Sequence, residues 1–130
     1  MVNQSGRAPV ALSGRTVLLV EDDYLIADQM RRTLSRCGAE ILGPVATVEK
    51  ALALVAASPE IDAAVLDVNL CDQMVFPVAD ALAERDVPFV FATGYDRTII
   101  PPRFVQVRRC EKPVEMALLA RILSAEIEAR

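Results

Sequence analysis

The sequence predicts an α/β fold in which a parallel five-stranded sheet carries helices on both faces. Three observations support that prediction. Five short apolar runs, Thr16–Val20, Glu40–Val45, Ala63–Leu66, Val87–Ala92 and Phe104–Val107, are each bounded by polar or turn residues, the pattern of buried strands. Most are separated by segments whose apolar residues recur at helical spacing, and such alternation implies parallel pairing through right-handed crossovers. Finally, 53% of the 130 residues are hydrophobic, enough to cover a sheet on both sides within one domain.

Met1 to Gly14 mixes Gly, Ser, Pro and polar residues without periodicity and reads as a flexible arm, with residues 15–130 as the folded domain. The first strand, Thr16–Val20, is broken by Glu21-Asp22-Asp23. Leu25, Ile26, Met30, Leu34 and Cys37 then mark one face of a helix, and Gly38 supplies the left-handed residue that stops it. Pro44 cannot donate to a ladder, so Glu40–Val45 belongs at a sheet edge or strand end. Thr47 is the expected N-cap of a second helix running to about Ala57, closed by Ser58-Pro59.

The third strand runs from Ala63 into Asp67, with Asn69 two positions on. Leu70 to Phe76 reads as a loop, and Pro77 is suited to the first turn of a third helix ending near Arg85. The fourth strand ends in Thr93-Gly94. Pro101-Pro102 forbids a normal helix over Tyr95–Arg103, so any helix there is short or disordered. Phe104–Val107 is the expected fifth strand. After Lys112-Pro113, Met116, Leu119, Ile122, Leu123 and Ile127 share one face of the last helix.

Composition excludes several kinds of chemistry. The chain has no histidine, which removes histidine-based acid–base catalysis, Ser-His-Asp triads and histidine-ligated zinc. A net charge of −4 without a block of Lys or Arg is not the footprint of a nucleic-acid binder. No apolar run reaches the ~18 residues of a membrane span, and the first residues lack the apolar region of a secretory signal, so the expected location is the cytoplasm. Cys37, Cys71 and Cys110 are odd in number and widely spaced, which suits free thiols in a reducing compartment. Cys71 lies close to Asp67 in sequence and is read as a small packing residue in preference to an exposed reactive thiol.

Parallel strands bring their carboxyl ends to one edge, where open α/β sheets keep their sites. Glu21 and Asp22 follow the first strand, Asp67 ends the third, Thr93 ends the fourth, and Lys112 lies near the end of the fifth. Two carboxylates ~4 Å apart repel by roughly 4 kcal/mol at an effective dielectric near 20. A hard divalent cation with oxygen ligands, Mg²⁺ for example, relieves that cost. A carboxylate nucleophile, Mg²⁺, a hydroxyl donor and an ammonium are the parts that take up a phosphoryl group and hold its charge. Taken singly, Asp22 and Asp23 suit a helix N-terminus, Thr93 a turn and Lys112 a solvated surface. Their joint placement at the strand ends is what points to chemistry.

From Arg15 to Ile127 the pattern resembles the receiver domain of bacterial two-component response regulators. The resemblance implies a flavodoxin-like doubly wound sheet of strand order 2-1-3-4-5. Glu21 and Asp22 match the family's acidic pair, Asp67 the aspartate that accepts the phosphoryl group, and Asn69 the position whose backbone carbonyl helps hold Mg²⁺. Thr93 matches the switch Thr/Ser, and Lys112 the lysine before a proline, where the family usually has a cis peptide. Phe91-Ala92-Thr93-Gly94-Tyr95 further resembles the FAT GUY group, often single-domain partners of HWE-type sensor kinases.

That resemblance implies a non-enzymatic phosphoacceptor whose only chemistry is phosphotransfer onto itself and slow hydrolysis of its own acyl phosphate. Its partners would be a sensor histidine kinase and a downstream protein, as a monomer or a phosphorylation-dependent dimer, or it would drain phosphoryl groups from another regulator. Two features depart from the family. Arg109 stands where receivers carry an aromatic that turns inward with the switch Thr, and an arginine cannot fill an apolar pocket without burying charge. The Tyr95–Arg103 segment, interrupted by two prolines, is expected to order on activation, with Tyr95 substituting for the missing aromatic. The competing readings are a Mg²⁺-dependent phosphatase or Toprim-like nucleic-acid enzyme, and a degenerate receiver that only docks. The first lacks the second carboxylate of an Asp-x-Asp, since Asn69 stands there. All the key positions are present, which disfavours the second.

Overall fold

The computed structural model describes residues 12–71, 73–94 and 100–129. Their strands are β1 (Thr16–Val20), β2 (Glu40–Val45), β3 (Ala63–Asp67), β4 (Asn69–Leu70), β5 (Gln73–Met74), β6 (Phe89–Thr93) and β7 (Arg109–Glu111). The helices are α1 (Tyr24–Arg36), α2 (Val48–Ala57), α3 (Phe76–Glu84) and α4 (Met116–Ala129). The main sheet is ordered β2-β1-β3-β6-β7 and all its pairings are parallel. Taking these five strands in chain order, this is the expected 2-1-3-4-5.

Alternation along the strands sorts the core into two layers. Leu18, Val20, Ala64, Leu66, Phe89 and Phe91 face one way and pack beneath α2 and α3. Val17, Leu19, Ala63, Val65, Val90 and Ala92 face the other way, against α1 and α4. β1, β3 and β6 are buried at every position, as expected for strands covered on both sides. A buried Leu, Val or Phe contributes about 1.5–3 kcal/mol, so this centre fixes the frame that holds the strand ends in place.

The helix ends follow from local chemistry. Asp23 Oδ1 caps α1 by accepting from the backbone N–H groups of Leu25 and Ile26 at 3.0 and 3.1 Å. Thr47 Oγ1 caps α2 by accepting from Lys50 N–H at 3.1 Å. Gly38 has φ +97°, and a Cβ there would lie 2.7 Å from Ser13 Cα, so the stop after α1 requires glycine. Leu12, two residues before Gly14, is buried in the α1–α4 core layer, and its N–H donates to the Cys37 carbonyl at 3.2 Å. The first eleven residues of the expected arm lie outside the described residues.

Two expectations are corrected. Phe104–Val107 is not a strand. Pro102–Phe104 forms a single 3-10 turn, and the last strand of the sheet is Arg109–Glu111. Phe104 is buried against Phe76, Phe89 and Phe91, with ring centroids 5.7–6.0 Å apart, whereas Val105 is 65% exposed. The apolar run thus supplies an aromatic plug, and β7 is a run of polar residues with only Cys110 buried. Leu70–Phe76 is likewise not a plain loop: Asn69–Leu70 pairs antiparallel with Gln73–Met74. Among the described residues between β6 and β7, the only helical structure is that 3-10 turn.

Candidate phosphoryl-acceptor site

Register places the polar residues on one rim. Asp67, the last residue of β3, lies opposite Ala92 of β6, so Thr93 extends one step beyond it. Thr93 in turn lies opposite Glu111, the residue before Lys112. Lys112 N–H donates to the Thr93 carbonyl at 2.8 Å, which carries the ladder one residue past β7. Lys112-Pro113 is cis, as the resemblance implies, and Gly43-Pro44 is cis as well. At the end of β1, Glu21 N–H donates to the Val45 carbonyl at 3.0 Å, fixing the backbone from which Glu21 and Asp22 project.

The side chains converge. One carboxylate oxygen from each of Glu21, Asp22 and Asp67 lies within 4.8 Å of the others. Glu21 and Asp67 are buried and Asp22 is partly exposed. Lys112 Nζ donates to Glu21 Oε2 at 3.2 Å and lies 3.2 Å from Asp67 Oδ2. Asp23 N–H donates to Glu21 Oε2 at 3.0 Å, and Asn69 N–H donates to Asp67 Oδ1 at 3.3 Å. Thr93 is buried at the same edge.

The electrostatics are those of an anionic pocket with one cation. Burial, then the adjoining Glu21 carboxylate, pushes the Asp67 carboxyl up to about 8, with Asp22 adding to the effect and Lys112 opposing it. Burial also acts to raise Asp22, but the Cys71 thiol, Asp67, its own N–H and Lys112 outweigh it and hold Asp22 below its ordinary value. Burial acts to lower Lys112, and the charges of Asp67 and Glu21 reverse this, leaving the ammonium raised. Glu21 Oε1 is buried and accepts no hydrogen bond. Lys112 Nζ approaches it to 3.2 Å, outside hydrogen-bond geometry. A buried carboxylate oxygen without a donor, facing two more carboxylates, suits a hard cation bound through oxygen.

Of the residues expected at the rim, the side chains of Glu21, Asp22, Asp67 and Lys112 are brought together, and Thr93 lies buried at the same edge. Asn69 is exposed and opens β4 just beyond Asp67. Sequence reading missed two contacts at the rim. Asp23 stands at the helix N-terminus as expected and caps α1, but its backbone N–H also donates to Glu21. Cys71 is exposed, not packed, because it sits with φ +58° in the turn between β4 and β5. From there its thiol donates to Asp22 Oδ2 at 3.1 Å. Arg109 is half-buried and lines an open pocket with Glu111, Pro113, Glu115 and Leu118. Tyr95, expected to replace the absent aromatic, lies outside the described residues.

Comparison with known proteins places this geometry in context. A scan of protein-family models finds no match. The chain is 41% identical to SdrG from Sphingomonas melonis Fr1, covering 91% of this chain and 98% of that one with a TM-score of 0.76. A BeF3-activated conformation of SdrG matches at 40% identity and a TM-score of 0.72, covering 92% of this chain and 98% of that one. A response regulator receiver protein from Sinorhizobium medicae shares the fold at 24% identity, with a TM-score of 0.77 over 88% of this chain and 95% of that one. Among curated proteins, the phyllosphere-induced regulator PhyR of Methylorubrum extorquens is 26% identical over 95% of this chain. The chain spans 48% of PhyR's length. Among the described residues, no helix is long and apolar enough to cross a membrane.

Proposed function

The chain belongs to the response regulator receiver family, and on that premise we propose that it is a phosphorylation-controlled switch whose acceptor is Asp67. The observation that carries this reading is the convergence of Glu21, Asp22 and Asp67 within 4.8 Å, with Lys112 Nζ 3.2 Å from the Asp67 carboxylate. An Asp67 oxygen attacks the phosphorus of a phosphohistidine on a sensor kinase. The O–P bond forms as the P–N bond breaks, and the departing electron pair goes to the imidazole nitrogen.

Lys112 would hold a phosphoryl oxygen as an ammonium, and the Thr93 hydroxyl would donate to another. The packed strands β1, β3 and β6 keep these groups in position, so little reorganisation accompanies transfer. Mg²⁺ held by Glu21, Asp22, Asp67 and the Asn69 carbonyl would neutralise the charge that the carboxylates and the incoming phosphoryl oxygens bring together. The same arrangement supports slow hydrolysis of the acyl phosphate and no turnover of a small-molecule substrate.

The partners proposed for this chain, itself placed in the cytoplasm, are a sensor histidine kinase, of HWE type on the Phe91–Tyr95 motif, and a downstream protein that reads the phosphorylated state, with or without dimerisation. Draining phosphoryl groups from another regulator is the other output. The BeF3-activated conformation of its relative SdrG supports the phosphoacceptor reading. The test is incubation with a small-molecule phosphodonor and Mg²⁺. Label enters the natural chain and not Asp67→Asn; label persisting in that variant removes Asp67 as acceptor.

A further inference from the structure

The main sheet ends differently at its two edges. β2 carries Gly43-Pro44, and its register against β1 shifts between Leu18 and Val20. A proline and an irregularity blunt that edge against further pairing. β7 has neither. Among the described residues no strand lies beyond it, and the only helical structure between β6 and β7 is the Pro102–Phe104 turn. An open hollow of about 590 Å³ runs beside β7, bordered by Arg109, Glu111, Pro113, Glu115 and Leu118.

The direction of the β7 backbone follows from its bonds to β6. The Arg108 carbonyl accepts from Phe91 N–H at 3.0 Å, and Lys112 N–H donates to the Thr93 carbonyl at 2.8 Å. Backbone groups alternate in direction along a strand. Positions 108, 110 and 112 therefore face β6, and the N–H and C=O groups of Arg109 and Glu111 face outward. Two outward positions of opposite charge, with one residue between them, make this edge self-complementary. In an antiparallel pair centred on Cys110, Arg109 of each copy lies opposite Glu111 of the other, as a two-fold axis requires. Each such pair exchanges two backbone hydrogen bonds and matches opposite charges. The next residues out are already balanced within each chain, since Arg108 lies 3.9 Å from Glu126 and Lys112 lies 3.2 Å from Asp67. We propose that two copies of this chain associate through β7, joining their sheets edge to edge at Arg109 and Glu111. Three residues make a small contact, so the dimer is weak and forms as concentration rises. This deepens the dimerising output of the proposed function and rests on that reading for its signalling role. Thr93, opposite Glu111 in the sheet, joins the edge to the acceptor site.

The test is sedimentation velocity of the full chain from about 10 µM to about 1 mM, with and without a small-molecule phosphodonor and Mg²⁺. A dimer should appear with rising concentration in one state or both. Arg109→Glu sets two acidic side chains against each other and Glu111→Arg two basic ones, and each should raise the dissociation constant about 10-fold or more. The double variant Arg109→Glu/Glu111→Arg restores opposite charges and should recover association. Amide exchange at Arg109 and Glu111 should slow at high concentration. A chain monomeric in both states overturns the inference and leaves the edge to an extended strand of another protein. Association indifferent to the single variants overturns it too, and its loss in Leu118→Glu would trace the contact to α4. So does failure of the double variant, its fold verified by circular dichroism, to recover. Label on Asp67 is read in the same samples. A labelled monomer leaves the proposed function standing, whereas a charge-dependent dimer without label keeps the edge and removes the acceptor.

Discussion

Replacing Asp67 by Asn separates the electrostatic cost of the site from its chemistry. In the metal-free protein the Asp67 carboxyl is pushed up to about 8, first by burial and then by Glu21, whereas in the unfolded chain it titrates near the ordinary ~3.9. Between those values the native state binds more protons than the unfolded state, so stability falls as pH rises. At ~1.4 kcal/mol per unit, the loss between pH 5 and pH 8 has a ceiling of about 4 kcal/mol. Water at the mouth of the pocket and the partly exposed Lys112 screen some of this, and about 2 kcal/mol is expected. Asn resembles the protonated acid and carries no such dependence. Asp67→Asn should therefore match the natural chain near pH 5 and exceed it by about 2 kcal/mol near pH 8, read by urea unfolding in EDTA. A variant less stable than the natural chain at pH 8 would show that the Lys112–Asp67 pair outweighs burial and repulsion, and would refute the reasoning.

Other expectations follow from the same structure. Saturating Mg²⁺ should stabilise the natural chain near pH 8 by about 2.7 kcal/mol at 100 times its Kd, through relief of the same repulsion. EDTA should reverse the gain, and an unchanged midpoint with and without Mg²⁺ would count against a cation pocket. Phe104→Ala removes the ring that stacks on Phe76 at 5.8 Å and meets Phe91 edge-on at 5.7 Å. It should cost about 3–5 kcal/mol in urea unfolding, and a loss below about 1 kcal/mol would mean that Phe104 does not plug this core.

The centre of the fold was legible because burial on both faces writes itself into sequence as unbroken apolar runs. Thr16–Val20, Ala63–Asp67 and Phe89–Thr93 could hardly be anything else. The edge was not legible. β7 needs only Cys110 inside, so Arg109-Cys110-Glu111 carries no strand signature, while the apolar Phe104–Val107 run marks one buried ring on a 3-10 turn. The rim residues were nonetheless identified, because Lys112 follows the true strand as closely as it was expected to follow the misplaced one. The β4–β5 pairing was too short to leave a pattern. Its consequence, the left-handed Cys71 beside Asp22, depends on a backbone turn that residue type does not announce, since cysteine is a poor occupant of positive φ.

The most direct test of the account is chemical location of the acyl phosphate. After phosphotransfer in the presence of Mg²⁺, borohydride reduces an aspartyl phosphate to homoserine, and peptide mass mapping identifies the converted residue. The account predicts conversion at position 67 alone, lost when Mg²⁺ is chelated before transfer. Conversion at Glu21 or Asp22, or phosphate on a hydroxyl such as Thr93 with position 67 unchanged, would contradict it.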